Sequence, residues 1–251
     1  KIDSGVVQMK RKRRKKELIG LLLVLIIIVG IALIKRDTSN NRIKCDIKTI
    51  EKNEIQNSMK TTDNIRKKEN IVFLGDSITE FYPIDDIFTD LPIVKSGISG
   101  YQTQDILDRM DSMVYQYNPT SVFLLIGTND IMYDGEEKKE ETIEKIKQII
   151  EKIQKNRKYA KIYLESIYPV NKDLDESMVK DRDNKVIQEI NEELKKYCEE
   201  NKVTYINMYD ELSDSNENFD RKYTNDGLHP NDIGYAKISQ VRLTYIHGMN
   251  L

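Results

Sequence analysis

Two short motifs near opposite ends of the sequence carry residues that together could perform nucleophilic catalysis. Gly75-Asp76-Ser77 closes an apolar run, and Asp226-Gly227-Leu228-His229-Pro230 lies much later in the chain. A serine at the carboxyl end of a buried strand is exposed where open α/β sheets bind ligands. An aspartate three residues before a histidine can contact the imidazole and orient it. Ser77, His229 and Asp226 are therefore candidates for nucleophile, general base and the group that orients the base.

Each half of this pairing also has an ordinary structural explanation. The spacing Ser77-x-x-Glu80 is that of a capping box, which would start a helix without any catalytic role. Asp-Gly is a common turn and His-Pro a common helix start, so the second motif could serve the backbone alone. The catalytic interpretation uses the same geometry, because the free N–H groups at a helix start beside Ser77 would bind an anion. The chain holds only two histidines, which leaves few options for a base at neutral pH.

Two further motifs follow the next two apolar runs, and both contain possible hydrogen-bond donors. They are Ser96-Gly97-Ile98-Ser99-Gly100 and Gly127-Thr128-Asn129-Asp130. Glycines in such turns usually allow a positive φ or close packing, and Asn and Asp are favoured helix caps. In an acyl-transfer site, the N–H of Gly100 and the side-chain amide of Asn129 would instead face the oxyanion. Asp76 and Asp130 are expected to hold turns rather than to take part in chemistry.

The elements that must position these motifs alternate along the chain after residue 70. Apolar runs typical of strands occur at Asn70–Leu74, Ile93–Lys95, Ser121–Ile126, Lys161–Ile167 and Val203–Asn207. Helical periodicity lies between them, and a last helix is expected after Pro230, which suits a first helical position. Five short strands alternating with helices predict an α/β fold with a mostly parallel sheet covered on both faces. The first three motifs then lie at the carboxyl ends of strands one, two and three.

Taken together and in order, these motifs resemble the four blocks of the SGNH or GDSL family of esterases and lipases. The matching residues are Gly75-Asp76-Ser77, Gly100, Gly127-x-Asn129-Asp130 and Asp226-x-x-His229-Pro230. The resemblance covers about residues 69–247. It implies a three-layer α/β/α fold with a five-stranded, flavodoxin-like sheet.

The resemblance also implies a role for each matching residue in carboxylic ester hydrolysis. Ser77 is the nucleophile and His229 the base oriented by Asp226, while Ser77 N–H, Gly100 and Asn129 form the oxyanion hole. This acyl-enzyme mechanism needs no metal and no organic cofactor. The two cysteines, Cys45 in a polar stretch and Cys198 in a helical pattern, suggest neither a disulfide framework nor a metal site.

The N-terminal residues predict a membrane anchor. Lys10 to Lys16 is an unbroken basic run, and the 17 residues from Leu18 to Ile34 are uncharged and apolar. As a helix this stretch would measure roughly 25 Å, which spans a bilayer core if the flanking lysines snorkel. We therefore expect a transmembrane helix at residues 18–35. A cleaved signal peptide is the alternative, although it usually has a shorter apolar region and a small-x-small cleavage site.

Charge predicts how this anchor is oriented. Residues 1–17 contain eight Lys or Arg against two Asp or Glu, which favours a cytoplasmic location for them. The basic run could instead bind nucleic acid or anionic lipid, but the remaining residues carry net negative charge and offer no footprint for nucleic acid. We expect a single-pass protein of the cell membrane. Residues 36–68 would form a polar stalk and residues 69–251 an extracytoplasmic hydrolase domain.

The sequence predicts substrate preference only through the composition of the segments that would surround the site. Residues 131–140, 168–180 and 208–225 are mostly polar and acidic, and they lack the apolar cover that a long acyl chain requires. This favours an ester of a small acyl group, such as acetyl on a carbohydrate. The alternatives are a lysophospholipase or lipase acting at the membrane surface, and a glycan-binding module without catalytic activity.

Overall fold

The computed structural model describes residues 70–88 and 91–248. The predicted cytoplasmic segment 1–17, the anchor 18–35 and the stalk 36–68 lie outside these residues and stay predictions. Within the described ranges, no helix is both long enough and apolar enough to cross a membrane.

A five-stranded parallel sheet forms the centre of the fold. The strands are β1 (Ile71–Gly75), β2 (Ile93–Gly97), β3 (Ser121–Leu125), β4 (Lys161–Glu165) and β5 (Thr204–Ile206). Their order is β2-β1-β3-β4-β5, and every neighbouring pair is parallel. This is the flavodoxin-like order of doubly wound sheets. The predicted α/β class and parallel sheet are confirmed.

Helices lie between successive strands and after the last strand, as the predicted alternation requires. They are α1 (Ser77–Glu80), α2 (Ile84–Ile87), α3 (Thr103–Asp108), α4 (Met110–Met113), α5 (Gly135–Asn156), α6 (Glu176–Val179), α7 (Asn184–Glu200), α8 (Met208–Leu212) and α9 (Asp232–Gly248). A short 3₁₀ turn, Tyr115–Tyr117, precedes β3. The periodicity before that turn is divided between two short helices, because Arg109 leaves the helical conformation at φ −124°.

Side chains of β1 alternate between two apolar cores, one on each face of the sheet. Val72 and Leu74 join a core with residues of α3, α5 and α7. Ile71 and Phe73 join a second core with residues of α1, α2, α8 and α9. Successive residues of a strand point to opposite faces, so the two cores make three layers, helices over sheet over helices.

The start of α1 differs from the predicted capping box. Asp76 is the N-cap, and its Oδ1 accepts a hydrogen bond from the N–H of Ile78 at 3.0 Å. Ser77 is the first helical residue, while the carboxylate of Glu80 accepts hydrogen bonds from the N–H and the hydroxyl of Ser99. The capping box that the spacing indicates is therefore absent, because Asp76 rather than Ser77 caps the helix and Glu80 binds Ser99.

The last helix follows Pro230, as expected. Pro230 is not its first residue, since it forms an antiparallel bridge with Thr224. The helix starts at Asp232, and Oδ1 of Asn231 accepts hydrogen bonds from the N–H groups of Ile233 at 2.9 Å and Gly234 at 3.0 Å. The bridge closes the loop between Thr224 and Pro230, and α9 follows as a separate, capped element.

Asp76 supports α1 from a fully buried position. Its side chain is 0% exposed, and in the described part of the chain Oδ2 has no hydrogen-bond partner. Burial is the largest influence and raises the pKa of Asp76 to about 7, although the Ile78 N–H and the charge of Arg182 act in the opposite direction. Below about pH 7 the folded protein therefore favours the protonated carboxyl group.

Replacing Asp76 with asparagine should remove a pH dependence of stability. The raised pKa contributes stability below the ordinary value of 3.8, and this contribution is lost as pH rises through about 7. Asp76→Asn keeps an oxygen for the Ile78 N–H but cannot ionise. From pH 5 to pH 8 the unfolding free energy of the variant should gain about 3 kcal/mol on that of the wild type. Urea unfolding at four pH values measures this difference, and a difference that stays constant with pH contradicts the account.

Candidate active site

Ser77, His229 and Asp226 form a continuous chain of hydrogen bonds. Ser77 Oγ lies 3.1 Å from His229 Nε2, and His229 Nδ1 lies 2.8 Å from Asp226 Oδ2. With the ring proton on Nδ1 facing the carboxylate, Nε2 is free to accept the serine proton. The geometry therefore suits a nucleophile, a base and an orienting carboxylate.

Asp226 also holds the backbone of the histidine that it orients. Its Oδ1 accepts hydrogen bonds from the N–H groups of His229 at 2.7 Å and Leu228 at 2.9 Å. Burial acts to raise the pKa of Asp226, but these hydrogen bonds and the one from the imidazole outweigh it, so the pKa falls below its ordinary value of 3.8. Asp226 is therefore ionised at neutral pH, as stabilisation of an imidazolium requires.

The loop that carries both residues is fixed by Thr224 and Gly227. Thr224 Oγ1 donates to the main-chain oxygen of His229 at 2.8 Å and accepts from the N–H of Gly227 at 3.0 Å. Gly227 has φ +78°, and a Cβ there would lie 2.1 Å from the main-chain oxygen of Asn171. Only glycine fits this contact between the loop and the segment after β4.

The three expected oxyanion donors lie after three adjacent strands. Ser77 follows β1, Gly100 follows β2 and Asn129 follows β3, so their loops share one edge of the sheet. Gly100 has φ +78°, and a Cβ at this position would meet no atom within 4 Å. Asn129 Nδ2 donates to the main-chain oxygen of Tyr101 at 3.0 Å, which ties the two loops together.

The amide of Asn129 is held on its other side by Arg182, a residue that the sequence analysis missed. Arg182 Nη2 donates to Asn129 Oδ1 at 3.0 Å. One N–H of the amide then serves Tyr101, and one remains for a ligand. Arg182 belongs to the charged run Lys180 to Asp183, a pattern typical of a solvated surface, so the sequence carries no signal of its burial.

Asp130 has the expected structural role in the same loop. Its Oδ1 and Oδ2 each lie 3.1 Å from the N–H of Thr103, and it also accepts a hydrogen bond from the Thr103 hydroxyl. Burial is the main cause that raises the pKa of Asp130. The carboxyl group therefore joins the loop after β3 to the start of α3.

The surroundings of the triad are more apolar than the sequence suggested. The ring of Phe81 is 55% exposed, and its centroid lies 5.6 Å from that of the His229 imidazole. Ile98, Tyr133 and Ile233 are also exposed, and each lies within four residues of a candidate site residue along the chain. Phe81, Ile98 and Ile233 lie outside the three segments that the prediction considered, whereas Tyr133 is an exposed aromatic residue within one of them.

Residues 70–88 and 91–248 contain no cluster of metal-binding side chains. No group of three or more His, Cys, Asp or Glu side chains there is arranged to hold a metal ion. Cys198 is buried in α7, and burial raises the pKa of its thiol to about 12.

A curated relative matches most of this chain. The chain is 29% identical over 198 residues to the N-acylneuraminate cytidylyltransferase of Escherichia coli O18:K1:H7 (strain RS218 / NMEC). The match covers 78% of this chain and 44% of the relative, so the chain spans less than half the length of that protein.

Solved structures share the fold. A Streptococcus pneumoniae protein named for platelet activating factor is 32% identical, with a TM-score of 0.66, and the match covers 83% of this chain and 100% of the other. A catalytic mutant of Axe2, an acetylxylan esterase from Geobacillus stearothermophilus, is 19% identical, with a TM-score of 0.56 and coverage of 72% and 95%. At that lower identity the likeness concerns the fold alone.

The family of the chain follows from a match over its catalytic region. Residues 73–237, well over half of the sequence, match the model of the GDSL-like Lipase/Acylhydrolase family. This range contains Ser77, Gly100, Asn129, Asp226 and His229. The chain therefore belongs to the GDSL-like Lipase/Acylhydrolase family and, as a member of it, is a carboxylic ester hydrolase.

Proposed function

We propose that this esterase removes small acyl groups, above all acetyl, from a carbohydrate through an acyl-enzyme on Ser77. The observation that carries the mechanism is the unbroken chain from Asp226 through His229 to the Ser77 hydroxyl. A complete and correctly ordered triad argues against the alternative of a binding module that has lost turnover.

The mechanism has two acyl-transfer steps. His229 Nε2 takes the Ser77 proton as Oγ attacks the ester carbonyl, and the same nitrogen then protonates the leaving alcohol. Water, deprotonated by His229, attacks the acyl group and restores the serine hydroxyl. The negative oxygen of each tetrahedral intermediate accepts hydrogen bonds from Ser77 N–H, Gly100 N–H and the free amide N–H of Asn129. Asp226 stabilises the imidazolium that forms in both steps.

Phe81 supports a carbohydrate as the alcohol part of the ester. Because His229 Nε2 protonates the leaving oxygen, the leaving group lies beside the imidazole. The exposed ring of Phe81 packs against that imidazole and offers a flat apolar face for the C–H groups of a sugar. One relative, the N-acylneuraminate cytidylyltransferase, carries a sugar in its name, which agrees with this choice.

A lysophospholipase or lipase is the second candidate. The exposed side chains of Ile98, Tyr133 and Ile233 near the site favour it, because an acyl chain would pack against such groups. These side chains are single residues on different turns, and the segments between them are polar. A short acyl group therefore remains the better match.

We further propose that the hydrolase works outside the cytoplasm and is held to the cell membrane by residues 18–35. The basic run Lys10–Lys16 before the apolar stretch Leu18–Ile34 supports this orientation. Substrates would then be acylated glycans or lipids of the cell surface.

Removing the nucleophile or the base should abolish hydrolysis. We expect Ser77→Ala and His229→Gln to lower kcat/KM for 4-nitrophenyl acetate at least about a thousandfold, with circular dichroism unchanged. Matched controls are Ser99→Ala, the serine of the neighbouring loop, and His247→Gln, the other histidine. Both controls should keep most of the activity. If His247→Gln were inactive and His229→Gln active, the assignment of the base would be wrong.

Acyl length and leaving group together test the substrate class. With 4-nitrophenyl esters from acetate to decanoate, kcat/KM should be highest for acetate and fall steadily. With acetyl held constant, an acetylated xylo-oligosaccharide should be a better substrate than ethyl acetate, because only the sugar can contact Phe81. A maximum at octanoate or decanoate would favour the lipase. Equal kcat/KM values for the acetylated xylo-oligosaccharide and for ethyl acetate would contradict a carbohydrate as the alcohol part of the substrate.

Protease protection tests the proposed location. Protease added to intact cells or spheroplasts should digest the hydrolase domain, and the undigested protein should sediment with membranes. A cytoplasmic protein serves as the control for lysis. Protection of the domain until the cells are lysed would mean that the orientation is inverted.

A further inference from the structure

We propose that Arg182 is a positioning residue of the oxyanion hole, which fixes the amide of Asn129 so that an N–H faces the oxyanion. This inference rests on the proposed acyl-transfer function, because it assigns a task to the same site. Arg182 touches no reacting atom and acts through Asn129.

Arg182 is held as a rigid fork. Its side chain is 1% exposed, and all three guanidinium nitrogens donate hydrogen bonds. Nε donates to the main-chain oxygen of Thr128 at 2.8 Å and to its Oγ1 at 3.1 Å. Nη1 donates to the main-chain oxygens of Val179 at 2.9 Å and Met178 at 3.3 Å. Nη2 donates to Asn129 Oδ1 at 3.0 Å. A planar group fixed at so many points has little freedom to turn.

The amide of Asn129 needs this restraint because its two ends have almost the same shape. If the amide flipped, a carbonyl oxygen would face the negative oxygen of the intermediate and repel it. Arg182 requires the oxygen on its side, and the main-chain oxygen of Tyr101 requires the nitrogen on the other. A flip would break both hydrogen bonds at once, so the two contacts define a single orientation.

The charge of Arg182 is also unusual for a residue with only a packing role. Within the described residues, the oxygens that accept its hydrogen bonds are carbonyl, amide and hydroxyl oxygens, none of them a carboxylate. Burial lowers the pKa of Arg182, and the nearby charge of Asp76 offsets only part of this cost of keeping a cation away from water. Next to Asn129, that cation polarises the amide and strengthens its remaining N–H as a donor.

Arg242 provides a matched comparison. It is 2% exposed, and it forms two hydrogen bonds with the carboxylate of Glu165, Nε to Oε1 at 2.6 Å and Nη2 to Oε2 at 3.0 Å. Its guanidinium packs over the rings of Phe73 and Tyr82 in the core on the α9 side of the sheet. None of these hydrogen bonds and ring contacts of Arg242 involves Ser77, Gly100 or Asn129.

A double-mutant cycle in the full chain tests the proposal. Arg182→Lys keeps the charge but cannot reach all acceptors, so kcat for 4-nitrophenyl acetate should fall about 10- to 100-fold while KM stays within about twofold. In an Asn129→Ala background, the same substitution should cost less than about twofold. Arg242→Lys should lower the melting temperature yet keep kcat. Equal losses from Arg182→Lys in both backgrounds would overturn the proposal, since Arg182 would then act independently of Asn129.

Folding and the proposed function are controlled separately. Rates are taken at a temperature where circular dichroism shows each variant folded. If Arg182→Lys does not fold, Thr128→Val replaces it, because this change removes one oxygen that holds the guanidinium and preserves side-chain shape. It should lower kcat about threefold with Asn129 present and have no effect in Asn129→Ala. An effect that is equal in both backgrounds, or absent from both, contradicts the proposal. If Asn129→Ala itself kept wild-type kcat, the oxyanion assignment would fail instead.

Discussion

The hydroxyl of Ser77 is free to meet His229 only because a different side chain caps the helix that begins there. Asp76 accepts the hydrogen bond from the Ile78 N–H, at 3.0 Å, and Ser77 Oγ can then lie 3.1 Å from His229 Nε2. A serine used as the cap would direct its hydroxyl toward the backbone instead. This division of roles lowers stability at neutral pH, because burial raises the pKa of the Asp76 carboxyl group to about 7.

The same division recurs at the other polar groups of the site. Asp226 uses Oδ1 for the backbone of its own loop and Oδ2 for the imidazole. Asn129 uses its oxygen for Arg182 and one N–H for Tyr101, which leaves the second N–H for the proposed contact with the oxyanion. Each side chain is thus fixed by one atom and available through another. The parallel sheet makes this arrangement possible because β2, β1 and β3 deliver their loops to a common edge.

Local pattern accounts for much of the architecture, and hydrogen bonds to residues outside each motif account for what it missed. The apolar runs predicted five strands close to their observed bounds, and the order of motifs led to the residues that the structure brings together. The capping box failed because Ser99, on another loop, binds Glu80. Pro230 pairs with Thr224 and so does not start α9, and the burial of Arg182 depends on acceptors more than fifty residues away. None of these partners is visible in the spacing around the residue concerned. The anchor and the orientation of residues 1–69 stay predictions from charge and hydropathy.

The most direct test of this account is to locate the acyl group on the enzyme during turnover. The protein is mixed with 4-nitrophenyl acetate, quenched in acid within the first turnovers, digested, and mapped by mass spectrometry. The account predicts a single acetyl group on Ser77, which disappears in Ser77→Ala and when the reaction runs to completion before the quench. An acetyl group on Ser99 or another residue, or rapid hydrolysis with no acetylated peptide in repeated early quenches, would contradict it.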